Sequence, residues 1–92
     1  NTQEQNIATA WSLFPNPATE VVRLQTKDAT LATQTWTVAI RDMHAKVVQE
    51  VVLPAGDTDR QIDLSPKLIK GTYQMDIIHK GELLWTTTIV KQ

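Results

Sequence analysis

Apolar side chains recur at every second position through most of this 92-residue chain: Val22 and Leu24, then Trp36, Val38 and Ile40, then Tyr73, Met75 and Ile77, then Leu83, Trp85 and Ile89. Thr, Gln, Arg and Asp stand between them. A strand sends successive side chains to opposite faces, so a period of two marks strands with one face buried and one wet. No stretch keeps a helical period for more than a turn or two, and the many Thr and Val residues suit a pleated surface. The pattern predicts an all-β fold.

Turn-forming residues divide these runs at short intervals: Pro15 to Pro17, Asp42 to Ala45, Pro54 to Asp59, Ser65 to Gly71, and Lys80-Gly81-Glu82. Short strands so punctuated predict a sandwich or barrel. A chain of this length closes one core, and residues 1–10 are polar and aperiodic, so they read as a tether with the domain covering 11–92. In "LSPKLIKG" Ser65 can cap, Pro66 suits a first helical position and Gly71 can end the segment at positive φ. A single helical turn that drops Leu68 into the core is expected there.

The corner "FPNP" is the stiffest local element. Pro15 and Pro17 hold the residues before them extended and remove two donors that a neighbouring strand could use. The expectation is a rigid crossing from a short strand, Trp11 to Phe14, into a second, Thr19 to Gln25, which could lie in the other sheet. Proline at that place also discourages edge-to-edge pairing.

Little in the chain suggests chemistry. His44 falls in an expected hairpin turn and His79 at a strand end, neither with partners for a triad or a ligand set. Ser12 and Ser65 are the only serines, and neither sits on a nucleophile elbow. Asp57 and Asp59 beside Gly56 evoke a calcium loop but lack its further ligands. Asp63 and Asp76 lie on the polar phase of strands, with nothing to say that they approach each other. Trp11, Trp36 and Trp85 could form a sugar platform, yet Trp36 and Trp85 share phase with core residues, leaving Trp11 as the partly exposed one. No enzyme activity, cofactor or metal site is expected.

Charge and composition narrow the partners. A formal charge of -1 with both signs scattered offers no basic field for nucleic acid. The absence of cysteine removes disulfides and thiolate metal sites. No run approaches the roughly 20 apolar residues of a membrane-spanning helix, and residues 1–10 lack the pattern of a signal peptide, so an export address is expected in a longer precursor or in the domain itself.

Read together, the punctuated segments resemble the type A C-terminal sorting domain of type IX secretion cargo in Bacteroidota. That family opens with an aromatic residue and Pro-Asn-Pro, as in Phe14-Pro15-Asn16-Pro17, followed by an alternating strand, as in Val22 and Leu24. Its central strand ends in Asp, as "WTVAIRD" does at Asp42. Its Ile-Asp-Leu-Ser, Leu, Gly-x-Tyr block is matched by Ile62-Asp63-Leu64-Ser65, Leu68, Gly71 and Tyr73, and its closing strand by Ile89, Val90 and Lys91. One departure stands out: Ala45 occupies a position where the family usually has Gly, so the hairpin is expected to turn differently, with Met43 or His44 absorbing the strain.

The resemblance implies a seven-stranded antiparallel immunoglobulin-like sandwich that serves as an address label and not as an enzyme. The passenger would reach the periplasm, pass through the outer-membrane translocon, and end at the outer membrane, cell surface or outside the cell. The implied partners are the translocon, a shuttle protein and a sortase-like peptidase, which would cleave in or upstream of residues 1–10. If the last strand lies at a sheet edge, a receptor could read it by strand addition together with the Lys91 charge, and a homodimer through edge strands is open on the same grounds. Two other readings stand beside this one: an uncleaved domain that docks on the secretion or signalling machinery, and an accessory module that binds carbohydrate or protein, which an exposed Trp11 would favour.

Overall fold

Each alternating run becomes a strand in the computed structural model, which describes residues 10–92. The strands are β1 (Trp11–Phe14), β2 (Val21–Thr26), β3 (Trp36–Arg41), β4 (Val47–Leu53), β5 (Asp59–Asp63), β6 (Gly71–His79) and β7 (Glu82–Lys91). They form a three-stranded sheet in the order β1-β2-β5 and a four-stranded sheet in the order β4-β3-β6-β7. Every neighbouring pair is antiparallel. The described residues hold no α-helix, only a 3₁₀ turn, Ala29–Thr33, capped by the Asp28 carboxylate.

The buried phase of both sheets meets in one core. Val22, Leu24 and Ile62 come from the first sheet, and Trp36, Val38, Ile40, Met75, Ile77 and Ile89 from the second. Removing a buried side chain of this size costs about 2–5 kcal/mol, a large part of the total stability of a small domain. Most of the alternation seen in the sequence is therefore the core itself.

Four local expectations change. First, β1 and β2 pair with each other, Phe14 opposite Arg23 and Trp11 opposite Thr26, so the Pro-Asn-Pro corner does not carry the chain into the other sheet. Second, Trp11 is only 5% exposed. It packs edge-on against Trp36 with centroids 5.0 Å apart and parallel to Trp85 at 6.0 Å, which gives it a core role and removes the exposed platform. Third, Leu83 points outward because β7 shifts register between the Ile78–Leu83 and Ile77–Trp85 pairs, and a two-residue period cannot survive a bulge. Fourth, "LSPKLIKG" forms a tight turn and no helix.

That turn still does what its residues suggest. The Leu68 amide donates to the Ser65 carbonyl at 3.0 Å, and the Lys67 amide donates to Ser65 Oγ at 3.2 Å. Leu68 is buried, and Gly71 opens β6 at φ 153°, which a side chain would oppose. The β6–β7 hairpin turns through Lys80 and Gly81, both at positive φ, as a type I′ two-residue loop requires.

Candidate functional site

The strand registers bring the motif segments to one end of the domain. Gly71 at the start of β6 faces Lys91 at the end of β7, Val21 at the start of β2 faces Asp63 at the end of β5, and Arg41 at the end of β3 faces Gln74. A bridge between Ala18 and Lys91 ties the two sheets together at this end. Trp11 lies at the opposite end, beside the start of β3. Chain entry and motif residues thus occupy opposite poles.

The Pro-Asn-Pro corner is built to reach β7. Pro17 has no N–H, so pairing at that step needs a donor from elsewhere. The Asn16 carboxamide supplies one. Its Nδ2 donates to the Thr88 carbonyl at 2.9 Å, and its Oδ1 accepts from the Val90 amide at 2.9 Å. The backbone continues the ladder: the Ala18 amide donates to the Val90 carbonyl at 2.8 Å, and the Gln92 amide donates to the Ala18 carbonyl at 2.7 Å. Pro15 and Pro17 both follow cis peptide bonds. The last strand is an edge strand, but its outer backbone groups from Thr88 onward are already engaged.

A second carboxamide does the same at the other edge of the four-stranded sheet. Gln49 on β4 donates through Nε2 to the Asp63 carbonyl at 2.8 Å and accepts through Oε1 from the Ser65 amide at 2.8 Å. The Leu64 amide donates to the Glu20 carbonyl at 2.8 Å, and the Leu64 side chain is buried. Asp63, Leu64 and Ser65 are thereby fastened to both β2 and β4. Nothing in the pattern of the sequence marks Gln49 for this role.

Between these clamps lies a groove of about 510 Å³ lined by Glu20, Val21, Asp63, Ser65, Pro66 and Lys91. A neighbouring groove of about 460 Å³ is lined by Asp42, Lys46, Val47, Lys67, Ile69 and Tyr73. Tyr73 donates its hydroxyl to the Ile69 carbonyl at 2.7 Å, which fixes the loop before β6. Of the residues singled out in the sequence, Pro15, Asn16, Pro17, Ile89, Val90 and Lys91 meet at the corner. Asp63, Leu64, Ser65, Leu68, Gly71, Tyr73 and Asp42 surround the two grooves or underlie them.

The hairpin at Asp42 departs from the expectation. Ala45 itself adopts φ 63°, and neither Met43 nor His44 lies at positive φ. Asp42 holds the turn: its Oδ1 accepts from the amides of His44 at 2.8 Å and Lys46 at 3.0 Å. The Lys46 bond is the leading reason that this carboxyl titrates below its ordinary value, and burial opposes it.

The other carboxylates and histidines are structural or exposed. Asp76, buried on β6, pairs with Arg41 at 3.1 Å and accepts from Thr86 and Gln74. Burial raises its pKa, but the Thr86, Gln74 and Arg41 bonds together outweigh that and hold it below the ordinary value. Asp63 and Asp76 sit in different sheets with different partners. Asp57 accepts from the Asp59 amide at 3.3 Å, Asp59 pairs with Arg23 at 3.1 Å, and no three potential metal ligands cluster among the described residues. His44 is exposed on the hairpin, and His79 Nδ1 lies 2.8 Å from the Thr35 carbonyl.

Sequence reading missed Arg60, which is 7% exposed and has no carboxylate in ion-pair contact among the described residues. Its guanidinium lies 3.4 Å over the Trp36 ring and donates to the carbonyls of Asp57, Gln34, Leu53 and Ala32. Burial pulls its pKa down and the Asp57 charge pushes it back, but a guanidinium stays protonated regardless. The signal was its phase, since Arg60 alternates with Ile62 and Leu64.

A family model decides the matter: the secretion system C-terminal sorting domain matches residues 12–92. The chain belongs to that family. No curated protein and no solved structure matches it. The resemblance seen at Phe14-Pro15-Asn16-Pro17 and in the Ile62 to Tyr73 block is thus supported over nearly the whole chain. The sorting domain is a C-terminal signal of type IX secretion, and the family is not one of enzymes. It implies interaction with the type IX machinery and a passenger that ends at the cell surface or outside the cell. No helix among the described residues is long and apolar enough to cross a membrane.

Proposed function

We propose that this domain carries its passenger through the outer-membrane translocon with the motif pole presented to the secretion machinery and the passenger trailing from the Trp11 pole. The observation that carries this reading is the convergence of four separated segments, Pro15-Asn16-Pro17, Asp63-Leu64-Ser65, Gly71-Tyr73 and Ile89-Val90-Lys91, at the end opposite to chain entry. A shuttle protein engages that pole. A sortase-like peptidase then cuts in or upstream of residues 1–10, most of which lie outside the described residues. Periplasmic transit precedes translocation.

The fold of this sorting domain is immunoglobulin-like. In support, the first, second and fifth strands share one sheet and the third, sixth and seventh the other, as in that sandwich, with the fourth strand beside the third. Along β7, strand addition by a receptor or pairing of two copies is confined to the part before Thr88, because the clamp occupies the rest. A receptor that read Thr88 to Gln92 along the backbone would have to displace Asn16. Recognition of Lys91 therefore proceeds through side chains in the groove with Asp63 and Ser65.

The test is export of a reporter bearing a periplasmic signal and this domain, in a type IX host with and without its translocon. Surface delivery that depends on the translocon, with mass spectrometry showing a cut before Trp11, is the expected result. Substituting Asp63, Ser65 and Lys91 together, with folding verified, should leave the reporter in the periplasm. Full export of that variant would remove the motif pole as the recognition surface, and an uncut reporter at the surface would identify a retained docking domain.

A further inference from the structure

Two loops at the motif pole each push one apolar side chain into solvent with cations beside it. In the β3–β4 hairpin Met43 is 84% exposed, with Lys46 three residues on. In the β5–β6 loop Ile69 is 77% exposed, between Lys67 and Lys70. These are the two most exposed large hydrophobic residues described. Both loops line grooves that share Tyr73, so the tips flank a common centre. Lys46, Lys67 and Lys70 form no ion pair among the described residues. Asp42, the one carboxylate of the two loops, is turned into its own hairpin by the amides of His44 and Lys46.

We infer that this face docks on an anionic lipid surface, with Met43 and Ile69 entering the headgroup region and Lys46, Lys67 and Lys70 contacting lipid phosphates. The charge pattern chooses the occupant. Lysine is depleted in the cores of protein interfaces, whereas around an apolar anchor at a bilayer it keeps its ammonium at the headgroups and lays its stem on apolar surface. Polybasic clusters gain further from the negative potential of such a membrane. A peptide strand finds little backbone to pair with here, since Asn16 occupies β7 and Gln49 reaches across from β4 to Asp63 and Ser65. Such docking would hold the domain beside the membrane it must cross, and it does not depend on how the machinery reads the motif residues.

The experiment is cosedimentation of the 92-residue chain with vesicles of phosphatidylcholine alone and of phosphatidylcholine mixed with phosphatidylglycerol, at low and high salt. Binding to the mixed vesicles alone, lost at high salt, is expected. Each of Lys46→Gln, Lys67→Gln and Lys70→Gln should weaken it about five-fold, and Met43→Ser or Ile69→Ser about ten-fold. All five positions are exposed, and circular dichroism with thermal melts verifies the fold of each variant. Failure to bind the anionic vesicles at low salt overturns the proposal. So does binding that the two serine variants leave unchanged, which would make it generic charge adsorption, or an acidic protein that competes for this face while the vesicles are ignored.

Discussion

Asn16 presents its side-chain amide to β7 as a peptide group would, donating to the Thr88 carbonyl and accepting from the Val90 amide, each at 2.9 Å. The flanking prolines explain the choice of residue. They stiffen the corner but supply no N–H, so the donor to Thr88 has to come from a side chain of the length and chemistry of Asn. The corner therefore covers the edge of the last strand as well as turning the chain.

Asn16→Ala removes both bonds and should cost about 1–2 kcal/mol, the net worth of two ordinary hydrogen bonds. Asn16→Asp keeps the bond from Val90 but sets a carboxylate against the Thr88 carbonyl, so it should be no better than Ala. Urea unfolding monitored by tryptophan fluorescence measures both. An Asp variant as stable as wild type would show that the Thr88 bond contributes nothing.

Ala45 holds φ 63° in a hairpin where glycine meets no steric penalty. Ala45→Gly should stabilise the domain by about 1 kcal/mol, the cost of a left-handed conformation for an L-residue less the extra chain entropy of glycine. For a domain of this size that is a rise in Tm of about 4–8 °C. A fall in Tm would mean that the turn is relaxed as it stands.

Arg60 satisfies carbonyls from three segments beneath the Trp36 ring, including those of Gln34, Leu53 and Asp57. Arg60→Met fills the space and leaves the acceptors unpaired, so a loss of about 3 kcal/mol is expected. Arg60→Lys should recover less than half of it, because an ammonium cannot span the same fan of acceptors. Thermal melts of the three proteins decide this, and equal stability of the Lys variant would reduce Arg60 to a charge.

Asp42 and Asp76 both titrate below the ordinary carboxylate value of 3.8. A depressed folded-state pKa contributes stability that is present above the unfolded value and disappears as pH falls through the folded one. The melting temperature should therefore drop on acidification below about pH 4, and Asp76→Asn should flatten that limb while lowering stability near neutrality. An unchanged acid limb in Asp76→Asn would place the acid sensitivity elsewhere.

Legibility followed the physics of each residue. The inward phase of Trp36, Val38 and Ile40, and of Tyr73, Met75 and Ile77, was plain because burial on one face of a strand imposes a period of two. Leu68 was placed correctly because Pro66 and Gly71 bracket a turn too short to point it elsewhere. Leu83 was misplaced by a bulge, which adds a residue without altering composition. Trp11 was misplaced because its cover, Trp36 and Trp85, comes from strands 25 and more residues away by the numbering.

Local propensity and hydrophobic phase by themselves determined that this chain is all-β, where most of its turns fall, and which side chains form most of the core, because each depends on neighbours within a few residues. The spaced segments from Phe14 to Lys91 also carried the family. Only the tertiary structure decided that these segments share one pole, that Asn16 and Gln49 each cover part of an edge of the larger sheet, and that Arg60 is buried among backbone carbonyls. Those outcomes rest on pairing between strands distant in sequence, where a side chain's partners are set by register and sheet order, and no local pattern encodes either.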